Sequence, residues 1–378
     1  MKILHFYKTS IVDSIGGVEQ VIDQISRLAP KYGDVVSEVL TLSSNPFPSS
    51  VEVNGYLVHR VKLDLQIAST GFSFSAFKKF KDLASKADLI HYHFPWPFMD
   101  IVYFMSGIKK PSVVTYHSDI IRQKYLLKLY TPLMNRFLGS IDKIVATSPN
   151  YLATSDVLKA FKNKVDVIPI GIDNTCNFQP SPDKLNYWKE KFSDKFFLFV
   201  GVIRYYKGLH ILLEAAKGVN YPIVIIGAGP IESELKSHAS RLGINNIFFL
   251  GRLPSEDKIA LQMLCYCVLF PSHLRSEAFG ISLLEGAMYC KPMISSEIGT
   301  GTSFINIANE TGLVVPPSDP VALRQAMQKL WQNPEMASKM GRKAESRYLD
   351  LFTSDKMVAS YVDLYRKLIE KKLAILNN

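Results

Sequence analysis

Two carboxylates eight residues apart, Glu277 and Glu285, sit in the run Ser276-Glu277-Ala278-Phe279-Gly280-Ile281-Ser282-Leu283-Leu284-Glu285. The run follows an apolar stretch ending at Phe270, so Gly280 onward is expected to open a helix just beyond the carboxyl end of a strand. A helix start there offers free backbone N–H groups and the positive end of a helix dipole, which suit a diphosphate. At 1.5 Å per residue, eight residues correspond to about 12 Å. Two hydroxyl-bearing groups joined through a diphosphate have a similar span, and each carboxylate could accept hydrogen bonds from hydroxyls at one end.

A second segment, Gly201-Val202-Ile203-Arg204-Tyr205-Tyr206-Lys207-Gly208, carries two cations three residues apart where a strand gives way to a loop. Fixed cations stabilise charge that builds on a departing phosphate more than they stabilise the ground state. Gly16 and Gly17 allow close backbone approach to a phosphate or sugar, but the pattern is not Gly-x-Gly-x-x-Gly, so a nicotinamide site is unsupported. His117, in Thr115-Tyr116-His117-Ser118, ends a strand and is a candidate proton or hydrogen-bond partner. The sequence has no Asp-x-Asp pair, no His or Cys cluster at metal-ligand spacing, no P-loop and no Gly-x-Ser-x-Gly. These absences disfavour a metal-dependent transferase, a P-loop kinase and a serine hydrolase.

Positioning these residues requires parallel strands whose carboxyl ends converge. Short apolar runs alternate with helix-period segments throughout the 378 residues, the pattern of an α/β chain with two domains. Strands are expected at 2–7, 35–42, 88–93, 112–117, 143–147 and 165–170, then at 196–202, 222–226, 247–250, 265–270, 292–295 and 312–315. The stretch 173–194 reads as an interdomain linker. The domains are set at 1–175 and 176–353, with 354–378 a terminal helix, and a ligand cleft is expected between them.

Lys and Arg number 44 against 34 Asp and Glu, a net charge of +10, which favours anionic partners. Each half of the chain carries the same excess, and no aromatic-basic pattern supports nucleic-acid binding. A basic stretch between 78 and 143 contains Ile120, Ile121, Tyr125, Leu126, Leu129, Leu133 and Phe137 interleaved with Arg122, Lys124, Lys128 and Arg136. It reads either as an interfacial helix on an anionic membrane or as core packing. Cys176, Cys265, Cys267 and Cys290 form no disulfide framework, and no signal peptide or membrane span is evident. A cytoplasmic protein, at most peripheral to the inner face of the plasma membrane, is expected.

Glu277-x7-Glu285, the Gly-Val-Ile-Arg-Tyr-Tyr-Lys-Gly loop, Gly16-Gly17 and Ile168-Pro169-Ile170-Gly171-Ile172-Asp173 together resemble the retaining GT-B glycosyltransferases of family 4, in the family's order and over essentially the whole chain. The resemblance implies two Rossmann-like domains facing across a cleft, a C-terminal helix crossing back to the first, and metal-independent, cofactor-free transfer with retained anomeric configuration. It places Glu277 on donor-sugar hydroxyls, Glu285 on the nucleotide ribose, and Phe279, Gly280 and Ile281 amides on sugar or phosphate. Arg204 and Lys207 would neutralise the diphosphate, Gly16 and Gly17 would close over it, and His117 would line the sugar site.

Two departures stand out: Gly201-Val202 replaces the Gly-Arg of many members, and Gly299-Thr300-Gly301 stands where many have Gly-Gly-x-x-Glu. Arg-Tyr-Tyr-Lys-Gly with Ser296-Glu297-Ile298-Gly299-Thr300-Gly301-Thr302-Ser303 looks like bacterial mannosyl- and rhamnosyltransferases of O-antigen assembly. The implied reaction moves mannose from GDP-mannose to a lipid-linked saccharide in lipopolysaccharide synthesis. Alternatives are a rhamnosyl- or glucosyltransferase with another nucleotide donor, a nucleotide-sugar epimerase, and an inactive GT-B-fold interaction protein.

Overall fold

A computed structural model describes residues 1–14, 16–67, 70–121, 124–175, 178–192 and 195–376. Ile15, Ala68, Ser69, Arg122, Gln123, Cys176, Asn177, Ser193, Asp194, Asn377 and Asn378 lie outside the described residues, and so does the domain boundary expected at Cys176. The chain divides into two compact units, Met1–Asp173 with Ser354–Asn378, and Asn174–Thr353. Both are α/β with parallel sheets, as the sequence pattern predicts.

The first unit contains β1 (Lys2–Phe6), β2 (Val36–Ser43), β3 (Ser50–Val53), β4 (Tyr56–Lys62), β5 (Leu65–Ile67), β6 (Thr70–Phe72), β7 (Leu89–Phe94), β8 (Ser112–Tyr116), β9 (Lys143–Ala146) and β10 (Val165–Val167). Eight of these form a sheet in the order β10-β9-β8-β7-β1-β2-β4-β3. All pairs are parallel except the β3–β4 edge hairpin. β5 and β6 make a separate antiparallel pair. The Ser354–Leu376 helix belongs to this unit, where Tyr361 and Tyr365 are buried and Ser354 Oγ donates to Asp173 at 2.8 Å.

The second unit holds β11 (Phe197–Val200), β12 (Ile223–Ile226), β13 (Ile247–Gly251), β14 (Cys267–Phe270), β15 (Met293–Ser296) and β16 (Gly312–Val315). Their order is β13-β12-β11-β14-β15-β16, parallel throughout. This is the doubly wound order in which the sheet reverses direction beside its first strand, opening a crevice at the carboxyl ends of β11 and β14. The apolar runs Phe197-Leu198-Phe199 and Val268-Leu269-Phe270 are buried because helices cover both faces.

Half of the expected linker is instead helical. Pro182–Phe192 is a helix, with Trp188 buried and its Nε1–H donating to Asp257 at 2.9 Å. Leu185, Trp188 and Phe192 recur at helical spacing, and the Trp188 and Phe192 rings stack with centroids 5.8 Å apart. The intervening lysines and glutamate mask that stripe in composition.

Candidate active site

The two charged segments singled out in the sequence flank the β11/β14 crevice. After β11 the chain turns through Gly201 and Arg204 into the short Tyr205–Lys207 turn. After β14 it runs through Ser272 and Glu277 to Gly280, which caps the Ile281–Met288 helix. The loops are stitched together: His273 N–H donates to Tyr206 O at 3.0 Å, and the His273 ring bonds Tyr205 O at 3.2 Å and Ser318 Oγ at 3.0 Å.

Lys207 Nζ forms an ion pair with Glu277 Oε2, and Ser272 Oγ donates to the same oxygen at 3.1 Å. Both partners are largely enclosed, with side chains 12% exposed, and the ammonium also lies 4.9 Å from the Phe270 ring centroid. The Arg204 side chain is exposed and makes no hydrogen bond or ion pair with the described residues, while its carbonyl accepts from the Lys207 N–H at 3.0 Å. Lys207 is thus a positioned cation and Arg204 one that can swing toward a ligand.

Gly280 holds φ +105°, a conformation that favours glycine, and a Cβ there would sit tightly at 3.2 Å from the Phe270 ring. Among the described residues, no acceptor takes the amides of Phe279, Gly280 or Ile281, which leaves these donors for an anion. The Gly299–Gly301 loop lies against this turn: Gly301 N–H donates to Ala278 O at 3.0 Å, and Arg275 holds Gly299 O at 2.8 Å.

Glu285 sits on the helix itself, with Oε1 bound by Lys258 at 2.7 Å and Oε2 by Gln262 Nε2 at 2.8 Å. The ~12 Å helical span estimated from 1.5 Å per residue does not apply between the two glutamates, because the helix begins only at Ile281. Glu277 lies in the preceding loop and its separation from Glu285 is not a helix rise.

The remaining sequence candidates are in the first unit. Gly16 caps and Gly17 begins the Gly17–Leu28 helix. A Cβ at Gly16 would fall 2.4 Å from a Glu19 carboxylate oxygen, and Glu19 in turn accepts the Thr9 hydroxyl. His117 follows β8 and is buried, 7% exposed.

The sequence reading treats His117 as solitary, and the structure corrects this. His117 Nε2 lies 3.0 Å from His93 Nδ1, and His93 Nε2 lies 3.1 Å from His5 Nδ1. His91, in register with His5, bonds Tyr365 OH and Thr115 Oγ1, each at 2.7 Å. Burial pushes His5 and His117 down to about 3, and burial followed by neighbouring imidazoles pushes His91 and His93 well below the usual histidine range. All four are therefore neutral near pH 7.

Sequence spacing gave no sign of this cluster as a ligand set, yet nitrogens of His5, His91 and His93 lie within 4.8 Å of one another. Hydrogen bonds already engage both nitrogens of His91 and of His93. Gly227 and Gly229 after β12 were also missed; a Cβ on Gly229 would be 2.0 Å from Ile203 O. Gly-Ala-Gly directly after an Ile-Val-Ile-Ile strand was the available signal.

Most of the segment read as interfacial or core lies in the Lys124–Ser140 helix, which has two characters. Phe137 is fully buried, whereas Tyr125 and Leu129 are 86% and 80% exposed. Leu126, Leu129, Tyr130 and Ile120 join Ile67 and Phe72 around an apolar groove. Arg122 lies outside the described residues. No described helix is long and apolar enough to cross a membrane.

The family model for glycosyl transferases group 1 matches residues 184–347, and that for glycosyltransferase family 4 matches residues 15–175. The chain is 61% identical to the D-rhamnosyltransferase WbpZ of Pseudomonas aeruginosa, over 94% of this chain and 93% of that protein. It is 48% identical to the O-antigen chain mannosyltransferase C of Escherichia coli, over 98% of this chain and 100% of that one. Among solved structures, sucrose-phosphate synthase from Thermosynechococcus elongatus superposes with a TM-score of 0.81 at 21% identity, covering 98% and 99% of the two chains. Anabaena HepE with UDP does so at 0.77 and 18% identity, covering 97% and 100%. Both share the GT-B fold.

Proposed function

The chain belongs to the family 4 glycosyltransferases, and we propose that it transfers a manno-configured hexose from a GDP-sugar to a lipid-linked saccharide during O-antigen synthesis, with retention and without a metal. The observation that carries this reading is the β11/β14 crevice, where the Lys207–Glu277 pair, exposed Arg204 and the unpaired Phe279, Gly280 and Ile281 amides converge. Lys207, Arg204 and the amides neutralise the diphosphate as the anomeric bond breaks. Glu277 orients Lys207 and accepts from a sugar hydroxyl, and Glu285 reaches the ribose. His117 contacts the sugar, and Gly16 and Gly17 allow close approach of the diphosphate. The acceptor hydroxyl attacks from the leaving-group face, and the departing phosphate takes its proton, so the protein supplies orientation and charge.

Mannose was the sugar expected from sequence. The 61% identity to a D-rhamnosyltransferase, against 48% to a mannosyltransferase, favours D-rhamnose, which is 6-deoxy-D-mannose. The donors differ by one hydroxyl, and a pocket without a partner for it discriminates only about 100-fold. Measuring kcat/KM with GDP-D-rhamnose and GDP-D-mannose on a lipid-linked acceptor ranks them, and NMR of the product gives the anomeric configuration. Higher efficiency with mannose restores the first expectation; an inverted product removes the retaining mechanism. The exposed Tyr125, Leu126 and Leu129 face supports docking on an anionic bilayer, where such an acceptor resides.

A further inference from the structure

We propose that the buried His93 and His5 act as positioning residues that fix the proton of His117 on Nδ1, so that His117 meets a bound oxygen as a hydrogen-bond donor. The inference rests on the reading of His117 as a sugar-site residue and adds how its tautomer is chosen.

His117, His93 and His5 form a chain of two imidazole–imidazole hydrogen bonds, Nε2 to Nδ1 each time. A neutral ring has one N–H, so the three protons must all point the same way along the chain. In one sense His117 Nε2–H donates to His93, His93 Nε2–H donates to His5, and His5 is left with a proton on Nε2. In the other, His5 Nδ1–H donates to His93, His93 Nδ1–H donates to His117, and His117 carries its proton on Nδ1.

The sealed end decides between them. His5 is 0% exposed, and its Nε2 is buried with no hydrogen-bond partner. An orphaned buried N–H is rarer in native proteins than an under-used acceptor, so His5 keeps Nε2 bare and its proton on Nδ1. His117 Nδ1 has no partner among the described residues and is not among the sealed unpartnered atoms, so the donor end of the chain is the end that can meet a ligand. His91 does not impose the opposite sense, because its neighbours Tyr365 OH and Thr115 Oγ1 are hydroxyls that can donate or accept. Burial also keeps the chain from gaining an extra proton near pH 7.

The test is long-range 1H–15N correlation of the 15N-histidine-labelled full chain near pH 7, with resonances assigned by single substitution. Nδ1–H tautomers are expected for His5, His93 and His117, against the Nε2–H form that neutral histidine prefers in water. An Nε2–H tautomer at His117 in the parent protein overturns the proposal without any variant having to fold. So does a stoichiometric metal bound by these nitrogens.

His93→Phe, which removes the link, is expected to lower kcat roughly tenfold at unchanged donor KM, the range typical when a partner orienting a histidine is lost. His5→Asn, whose amide keeps a donor near the Nδ1 position, should retain both the His117 tautomer and kcat within about twofold. A folded His93→Phe with parental kcat counts against the proposal. Full turnover by His117→Ala instead removes His117 from the sugar site, an outcome separate from the tautomer, which the spectrum reads directly.

Discussion

The two units solve the same topological problem with opposite chemistry. In each, the first strand lies between strands whose connections run in opposite directions, β2-β1-β7 in the first unit and β12-β11-β14 in the second. Each therefore has a switch point at its strand ends. The second fills it with glycine turns, a lysine–glutamate pair and unpaired amides. The first fills the ground around it with neutral imidazoles linked to one another and, through His91 and Thr115, to Tyr365 and Tyr361 of the terminal helix. Strand order supplies a crevice, while side chains decide whether it handles charge or presents neutral hydrogen bonds.

The largest expected effect tests the charged side. On the proposed reading, Lys207→Ala removes a cation from the leaving group and leaves Glu277 enclosed without its ion-pair partner, so kcat should fall about 10³-fold. Arg204→Ala, exposed and unpaired with the described residues, should cost roughly tenfold in kcat with little change in stability. Product formation under saturating donor measures both. A Lys207→Ala enzyme within tenfold of the parent would remove the second unit's crevice as the place where charge is stabilised.

Backbone crowding gives the next contrast. Gly229→Ala would force a Cβ against Ile203 O, whereas Gly139, late in a first-unit helix, has no atom closer than 3.8 Å to its Cβ position. Gly229→Ala should destabilise by about 3 kcal/mol and Gly139→Ala should be neutral or stabilising by up to ~1 kcal/mol. Urea unfolding followed by circular dichroism reads the difference. Equal effects would mean that the glycine turns of the second unit are not closely packed.

The strands facing both crevices were legible because a parallel strand covered on both faces reads as an uninterrupted apolar run. The placement of Lys207, Glu277 and Gly280 just beyond the carboxyl ends of β11 and β14 was legible for a related reason, since an apolar run marks where its strand ends and the following loop begins. The β3–β4 hairpin was missed although Val53-Asn54-Gly55-Tyr56 holds the signal: Asn54 and Gly55 have positive φ and Val53 pairs with Tyr56. The imidazole chain was harder to see. His5, His93 and His117 are remote in sequence, and only strand register brings them together; the clue was histidine interrupting runs that should have been apolar. Glu285's partners Lys258 and Gln262 were hidden in the same way, on a different helix.

Acid stability isolates the imidazole side. His5 and His117 are held at about 3 by burial, so below the ordinary value of 6.5 the unfolded chain binds protons that the folded chain does not. Stability is therefore complete above pH 6.5 and is lost as pH falls from there toward 3, with a limiting slope of about 1.4 kcal/mol per pH unit for each such histidine. Urea midpoints at several pH values should show it, and His5→Asn should flatten the profile. Substituting the half-buried His210 in the second unit should alter it far less. A profile insensitive to His5 would show that the cluster is protonated in the folded state.

Glu285 sets the finest test of the contrast, because its role can be read two ways from one geometry. Lys258 and Gln262 each occupy one carboxylate oxygen, tying two helices of the second unit together. Each oxygen nonetheless has a second lone pair for a ribose hydroxyl. Glu285→Gln keeps the shape while removing the charge that Lys258 meets, and one charge-assisted hydrogen bond to a ribose is worth about 1.5 kcal/mol. Nucleotide affinity by calorimetry should therefore weaken roughly tenfold, by the conversion of 1.4 kcal/mol per decade, with a melting temperature close to the parent's, since a partly exposed ion pair contributes at most about 1 kcal/mol. If the melting temperature drops and affinity does not, Glu285 is a strut between helices. The charged crevice would then grip its donor only at Glu277, Lys207 and the amides, and the two units would differ less in how they use their carboxylates.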